Sequence, residues 1–172
     1  MKIHKIPQNV TTLIFDIDST LYTNDDYAYE QVDCQVREFA RIRNMSADEA
    51  RTLVRDFRKD FAEKNGGKKI SLGNLLTNFG ISIEQSVQWR NELMHPEDFL
   101  VRDEKLISEL KILSKKYKLI CVTNNPVKPA RKTLEVIGIS DFFEEIVGLD
   151  TCYKSKPAIE PFEKALELTN SD

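Results

Sequence analysis

Two aspartates, Asp16 and Asp18, leave the apolar run "TTLIF" with one residue between them. Carboxylates are seldom buried unless something pairs with them, and two so close repel each other. At least one needs a proton, a metal or a cation, so the stretch reads as a site and not as core. A carboxylate can attack phosphorus and become an aspartyl-phosphate. A second carboxylate two residues on can protonate the leaving oxygen, then activate the water that cleaves the intermediate. Thr123 and Asn124, after "KLICV", offer a hydroxyl and an amide to phosphate oxygens. Lys156, just ahead of Pro157, offers an ammonium that neutralises phosphate charge. Hard oxygen ligands of this kind suit Mg²⁺, which would screen the nucleophile from an anionic substrate.

These residues converge only if the right elements carry them. "TTLIFDI" (11–17), "KLICVT" (118–123) and "EEIVGLD" (144–150) read as buried strands. "DEKLISELKILSKKY" places Leu106, Ile107, Leu110 and Leu113 on one helical face, with Asp103 as N-cap. A second helix pattern starts near Pro126 and stops at Gly138, and "AIEPFEKALELTN" carries a third. Strand and helix alternating in this way is the rhythm of a parallel α/β sheet. Ligands gather beyond the carboxyl ends of such strands, where Asp16, Asp18, Thr123, Asn124 and Lys156 all fall.

Residues 22–99 break the rhythm and contain no convincing strand. Ala47, Ala50, Leu53, Val54, Phe57 and Phe61 recur at helical spacing, with a capping box from Ser46 and Glu49 and a stop at Gly66-Gly67. "SIEQSVQWRNELM" repeats the device with Ser82 and Gln85. The expected fold is a Rossmann-like α/β core of residues 1–21 and 100–172, with an all-helical cap at 22–99.

The bulk properties exclude several classes of function. At 172 residues, 41% hydrophobic and 31% charged, the chain is an ordinary globular domain. A net charge of −3 offers no field for a nucleic-acid polymer. No apolar run approaches a membrane span, and "MKIHKIPQNV" has no signal-peptide core. Cys34, Cys121 and Cys152 are scattered, which fits reduced thiols in the cytoplasm. His4 and His95 lie far apart, so a zinc site or a Ser/His/Asp triad finds little support.

Three stretches in order resemble a known family over essentially the whole chain. "DIDST" resembles the DxDx[TV] motif of the haloacid dehalogenase-like phosphatases. "CVTNN" is similar to their second motif, and "KSKPAIEPFEKAL" to the third. The helical insertion stands where their C1-type cap stands. "FDIDSTLY" is closest to the pyrimidine 5′-nucleotidase-like branch, which often has Asn where Ser19 stands. The resemblance implies Asp16 as nucleophile, Asp18 as general acid/base and Lys156 as the third-motif lysine. It places phosphate at Ser19, Thr20, Thr123 and Asn124, and Mg²⁺ on the Asp16 carboxylate and the Asp18 backbone carbonyl. The second aspartate favours a phosphatase over a dehalogenase. The implied reaction is hydrolysis of a small phosphorylated metabolite, such as a nucleoside 5′-monophosphate. A sugar phosphomutase and a non-catalytic phosphate-binding domain stay open as alternatives.

The family's fourth motif, an acidic pair that completes the Mg²⁺ site, has no counterpart here. Asp141, Glu144, Glu145 and Asp150 all precede the third motif. The remaining acidic ligands are therefore expected beyond residue 172, in a longer form of the protein, because a parallel sheet would otherwise lose a strand. The present form is expected to bind Mg²⁺ weakly and to turn over poorly.

Several other residues carry plainer readings. Asn125 fits a strand-to-helix turn. Lys154 fits a solvated loop charge, the Lys-Pro pairing favouring Lys156. Tyr22, Tyr27, Tyr29 and Trp89 fit cap core better than a base-stacking platform, but Tyr22 lies nearest the site and is the candidate among them for binding substrate. Arg90, Lys68 and Lys69 fit surface charges, and Cys121 fits buried packing.

Overall fold

A computed structural model of the chain describes residues 9–171. In chain order its elements begin with β1 (Thr12–Phe15) and the helices α1 (Asp25–Arg43), α2 (Ala47–Lys64), α3 (Leu72–Thr77) and α4 (Ile83–Leu93). There follow α5 (Glu104–Leu113), β2 (Lys118–Val122), α6 (Val127–Val136), β3 (Ile146–Val147), α7 (Leu149–Cys152) and α8 (Glu160–Thr169). The chain divides into two compact units, Met1–Thr23 with Leu100–Asp172, and Asn24–Phe99.

The first unit is Rossmann-like. Its three strands are parallel and ordered β1-β2-β3, with Phe15 opposite Cys121 and Cys121 opposite Ile146. Parallel strands bury both faces, which explains why β2 is apolar from Leu119 through Val122. On one face, Ile120, Val122 and Val147 pack with Ala165 and Phe162 of α8. Each of these three aliphatic strand residues contributes about 1.5–3 kcal/mol relative to its exposed state. Asp103 caps α5 by accepting from Leu106 N, as its position ahead of the apolar stripe predicts.

β3 is shorter than the 144–150 run predicts. After Val147 the chain turns at Gly148 into α7. A Cβ on Gly148 would meet Val127 N at 2.7 Å and Asn125 O at 2.8 Å, so only glycine allows that approach. Leu149 N then donates to Asn125 O at 2.9 Å, and Asp150 Oδ1 accepts from Val127 N at 2.9 Å. Asp150 thus caps α6, whose own N-cap Pro126 has no side-chain oxygen to do so.

The second unit is helical throughout its described elements. α2 opens on the Ser46–Glu49 capping box, with both reciprocal bonds formed. Its core joins Val36, Phe39 and Ala40 of α1 to Ala50 and Val54 of α2, with Leu75, Leu76 and Trp89 from α3 and α4. Tyr27 is fully buried and stacks on Phe99, while Tyr29 is exposed. Apolar spacing does not single out α1, because its buried face carries the polar Asp33 and Gln35. Arg90 departs from a surface reading. Its Nε donates to Gln35 Oε1 at 3.1 Å, and Ser86 Oγ donates to the same oxygen at 3.0 Å, so a buried amide recruits it.

Asp33 ties α1 to α2. Arg51 reaches it with Nε at 2.7 Å and Nη2 at 2.8 Å, and Arg37 and Tyr29 add further donors. The Arg51 hydrogen bonds, with help from Arg37 and Tyr29, hold the Asp33 carboxyl down to about 2. A depressed carboxyl stabilises the folded state above its unfolded value near 4 and loses that contribution as pH falls towards 2. Asp33 therefore contributes about 2 kcal/mol at neutral pH. Urea unfolding of this unit across pH 2–5 is expected to show that loss, and Asp33→Asn to flatten it. An unchanged acid slope in the variant would contradict the assignment.

The cysteines are free, and burial pushes the Cys34 thiol up to about 11 and raises the Cys121 thiol as well. Neither behaves as a thiolate nucleophile. Among the described residues no helix is long and apolar enough to cross a membrane.

Candidate active site

Parallel strands deliver their following residues to one edge, and the chemistry collects there. Asp16 follows β1 directly, and Thr123 and Asn124 follow β2. The loop beyond α7 brings Lys156 back, with its Lys156–Pro157 bond cis.

Lys156 and Asp16 form the centre of this edge. Lys156 Nζ lies 2.6 Å from Asp16 Oδ1 and also donates to Val122 O at 2.8 Å. Asp16 Oδ1 accepts a further bond from Ile17 N at 2.8 Å. Oδ2 accepts no hydrogen bond among the described residues, and the Asp16 side chain is 44% exposed against 18% for Lys156. The ammonium is thus fixed from behind while a carboxylate oxygen faces outward. That is the geometry a nucleophile needs to meet an anionic phosphoryl group. Lys154, the competing lysine, is exposed and makes no such pair.

Asp18 stands in a different environment. Tyr22 Oη donates to Oδ1 at 2.6 Å, and Asn125 Nδ2 donates to Oδ2 at 3.0 Å. Thr123 Oγ1 donates to Oδ2 at 3.4 Å and itself accepts from Asn125 N at 3.1 Å. Its carboxylate is oriented by neighbours, whereas the Asp16 oxygen is open. Two carboxylates with opposed environments are how one site separates a nucleophile from an acid/base.

The turn after Asp18 is tight. Thr20 N and Leu21 N both donate to Ile17 O, and Ser19 takes φ 57°, the left-handed region. For a residue with a Cβ that conformation costs roughly 1 kcal/mol, less for Asn than for Ser. Ser19 and Thr20 are exposed beside the two aspartates.

Two neighbours differ from their expected places. Asn124 is read from sequence as a phosphate ligand. Its Oδ1 instead accepts from Lys156 N at 2.7 Å, and its Nδ2 lies 3.5 Å from Lys156 O, so it fastens the lysine loop to the end of β2. Asn125, read as a plain turn residue, holds Asp18. The Asn125 contact spans 107 positions of chain and the Asn124 contact 32, and local spacing carries no trace of either. Tyr22 lies on Asp18, four residues away, which a turn makes reachable.

The family model described as haloacid dehalogenase-like hydrolase matches residues 13–172. The chain belongs to the haloacid dehalogenase-like hydrolases. Among curated proteins of this kind it is 26% identical over 165 residues to the pyrophosphatase PpaX of Listeria welshimeri, covering 94% of this chain and 70% of that protein. Its fold is that of a HAD phosphatase from Thermococcus onnurineus, with a TM-score of 0.58, 22% identity, and coverage of 95% of this chain and 73% of that one. It also matches the HAD-hydrolase YfnB from Bacillus subtilis, solved bound to magnesium. That match has a TM-score of 0.50 and 19% identity, over 93% of this chain and 72% of that one.

Proposed function

We propose that this hydrolase acts as a phosphatase on a small phosphomonoester, with nucleoside 5′-monophosphates as its substrate class. The observation that carries the reading is the contrast at the sheet edge, an outward Asp16 oxygen beside a fixed Lys156 and an Asp18 held by three donors. Asp16 Oδ2 attacks phosphorus, the bond from phosphorus to the ester oxygen breaks, and Asp18 passes a proton to that oxygen. Asp18 then takes a proton from water, which attacks the aspartyl-phosphate, frees phosphate and restores Asp16. Lys156 neutralises charge on the transferring group, and the Thr123 hydroxyl, which donates to Asp18 in the free protein, turns to reach a phosphate oxygen.

The residues present fit a Mg²⁺ ion in part. Asp16 would hold it through the carboxylate oxygen that does not attack phosphorus, and the Asp18 backbone carbonyl would be a second protein ligand. Among the described residues no three His, Cys, Asp or Glu side chains form a metal cage. Mg²⁺ keeps several waters and commonly uses one or two carboxylates with substrate phosphate, so such a partial set suits it. When bound, it supplies charge neutralisation between nucleophile and substrate.

A second substrate reading, inorganic pyrophosphate, is favoured by the relative from Listeria welshimeri, which is named a pyrophosphatase. Phosphate release from a panel of nucleoside 5′-monophosphates, small sugar phosphates and pyrophosphate decides between them. The expected result is slow release from nucleotides, stopped by chelation and restored only by high Mg²⁺. Preference for pyrophosphate would move the substrate class. A folded protein that binds phosphate yet releases none from any member would overturn the reading.

A further inference from the structure

One arginine of the helical unit is unlike its neighbours. On α1 and α2, Arg37 pairs with Glu30 and Asp33, Arg41 with Glu38, Arg51 with Asp33 and Asp48, and Arg55 with Asp56. Arg43 donates to the Phe79 carbonyl. Arg58 has no acceptor among the described residues, and its Nε is buried. Buried guanidinium donors are normally paired, because desolvating them unpaired costs free energy. That desolvation also lowers the proton affinity of Arg58.

Arg58 borders two cavities: one also lined by Asp33 and Tyr29, and one of about 480 Å³ whose other lining residues are Lys59, Ala62, Lys69 and Ile70. Three cations therefore face the latter space, and no carboxylate lines it. Neither Lys59 nor Lys69 has an ion pair or hydrogen bond among the described residues. A chain of net charge −3, whose arginines otherwise find carboxylates or carbonyls, has left this spot electropositive and short of acceptors. A guanidinium and two lysines lining one cavity supply the donors and the charge that a phosphate group takes.

We propose that Arg58, Lys59 and Lys69 form a binding site for a phosphate dianion within the helical unit. It draws on none of the chemistry assigned to Asp16. Bound phosphate gives the Arg58 guanidinium an acceptor, and Ala62 and Ile70 supply the apolar part of the lining.

Inorganic phosphate titrated into the whole protein, followed by residue-resolved NMR, tests the site. Saturable shifts are expected at the Arg58 Nε–H and at the Lys69 and Ile70 amides. Affinity at those signals should fall about tenfold or more in Arg58→Gln and in Lys69→Gln, the latter an exposed position that leaves folding intact. Thermal unfolding separates binding from structure. Arg58→Met should match or exceed the wild type without phosphate, since it removes an unpaired, half-buried charge, yet gain less than the wild type on adding phosphate. No saturable shift at these residues, or equal affinity in Lys69→Gln, would overturn the proposal. So would marked destabilisation of Arg58→Met without phosphate combined with an unchanged phosphate response.

Discussion

Replacing Asp16 with asparagine is expected to lower turnover on the order of 10⁴-fold or more, because it removes the atom that forms the covalent bond. The fold should survive the change. The substituted amide keeps an oxygen for Ile17 N, and Lys156 keeps its bond to Val122 O. Asp16 is nearly half exposed, so losing its ion pair costs stability of only about 1 kcal/mol or less. Steady-state phosphate release and a denaturant midpoint, measured on one preparation, check both halves. A variant that retains its rate would sink the proposed chemistry, whatever its stability.

Asp18→Asn is expected to lower turnover by roughly 10²–10⁴-fold, the range for a general acid/base. Its signature differs from that of the Asp16 variant. The first step loses its proton donor, which a substrate with a good leaving group does not need. The second step loses the base that activates water, and no substrate can replace it. Given such a substrate, the variant should accumulate phosphoryl-enzyme. The local structure responds too. The introduced side chain presents an NH₂ group to neighbours that donate, so Tyr22 Oη or Asn125 must turn to accept. Tyr22→Phe separates this effect from the chemistry. It removes one donor and keeps the carboxylate, so its loss should be well below that of Asp18→Asn. Equal losses in the two variants would mean that positioning, not proton transfer, is the role of Asp18.

The parts of this account legible in the sequence are those where a local pattern has one physical reading. An apolar run that ends in Asp16 and Asp18 is a strand followed by a site. Ser46 with Glu49, and Asp103 ahead of its apolar stripe, mark helix starts because capping acts within one turn. The serine at position 19 is visible as a spelling, but its left-handed backbone is not. Residues that act at long range are not legible. Asn125 reaches Asp18, Asn124 reaches Lys156, and Asp150 caps a helix that begins 23 residues earlier. Asn124 and Asn125 have the local grammar of a turn, and turn chemistry is a sufficient reason for it. α1 escapes for a related reason. Its inward face gives positions to Asp33 and Gln35, whose partners Arg51, Ser86 and Arg90 lie on other helices. The apolar stripe is broken where a polar network replaces it.

The central claim is that Asp16 becomes covalently phosphorylated. The most direct test is mass spectrometry of Asp18→Asn after brief exposure to an activated aryl phosphate with Mg²⁺, quenched in acid and mapped by peptide. The account predicts a gain of one phosphoryl group, placed on Asp16 and absent from the Asp16→Asn, Asp18→Asn double variant. Substrate turnover with no labelled peptide, or a label on any other residue, would contradict it.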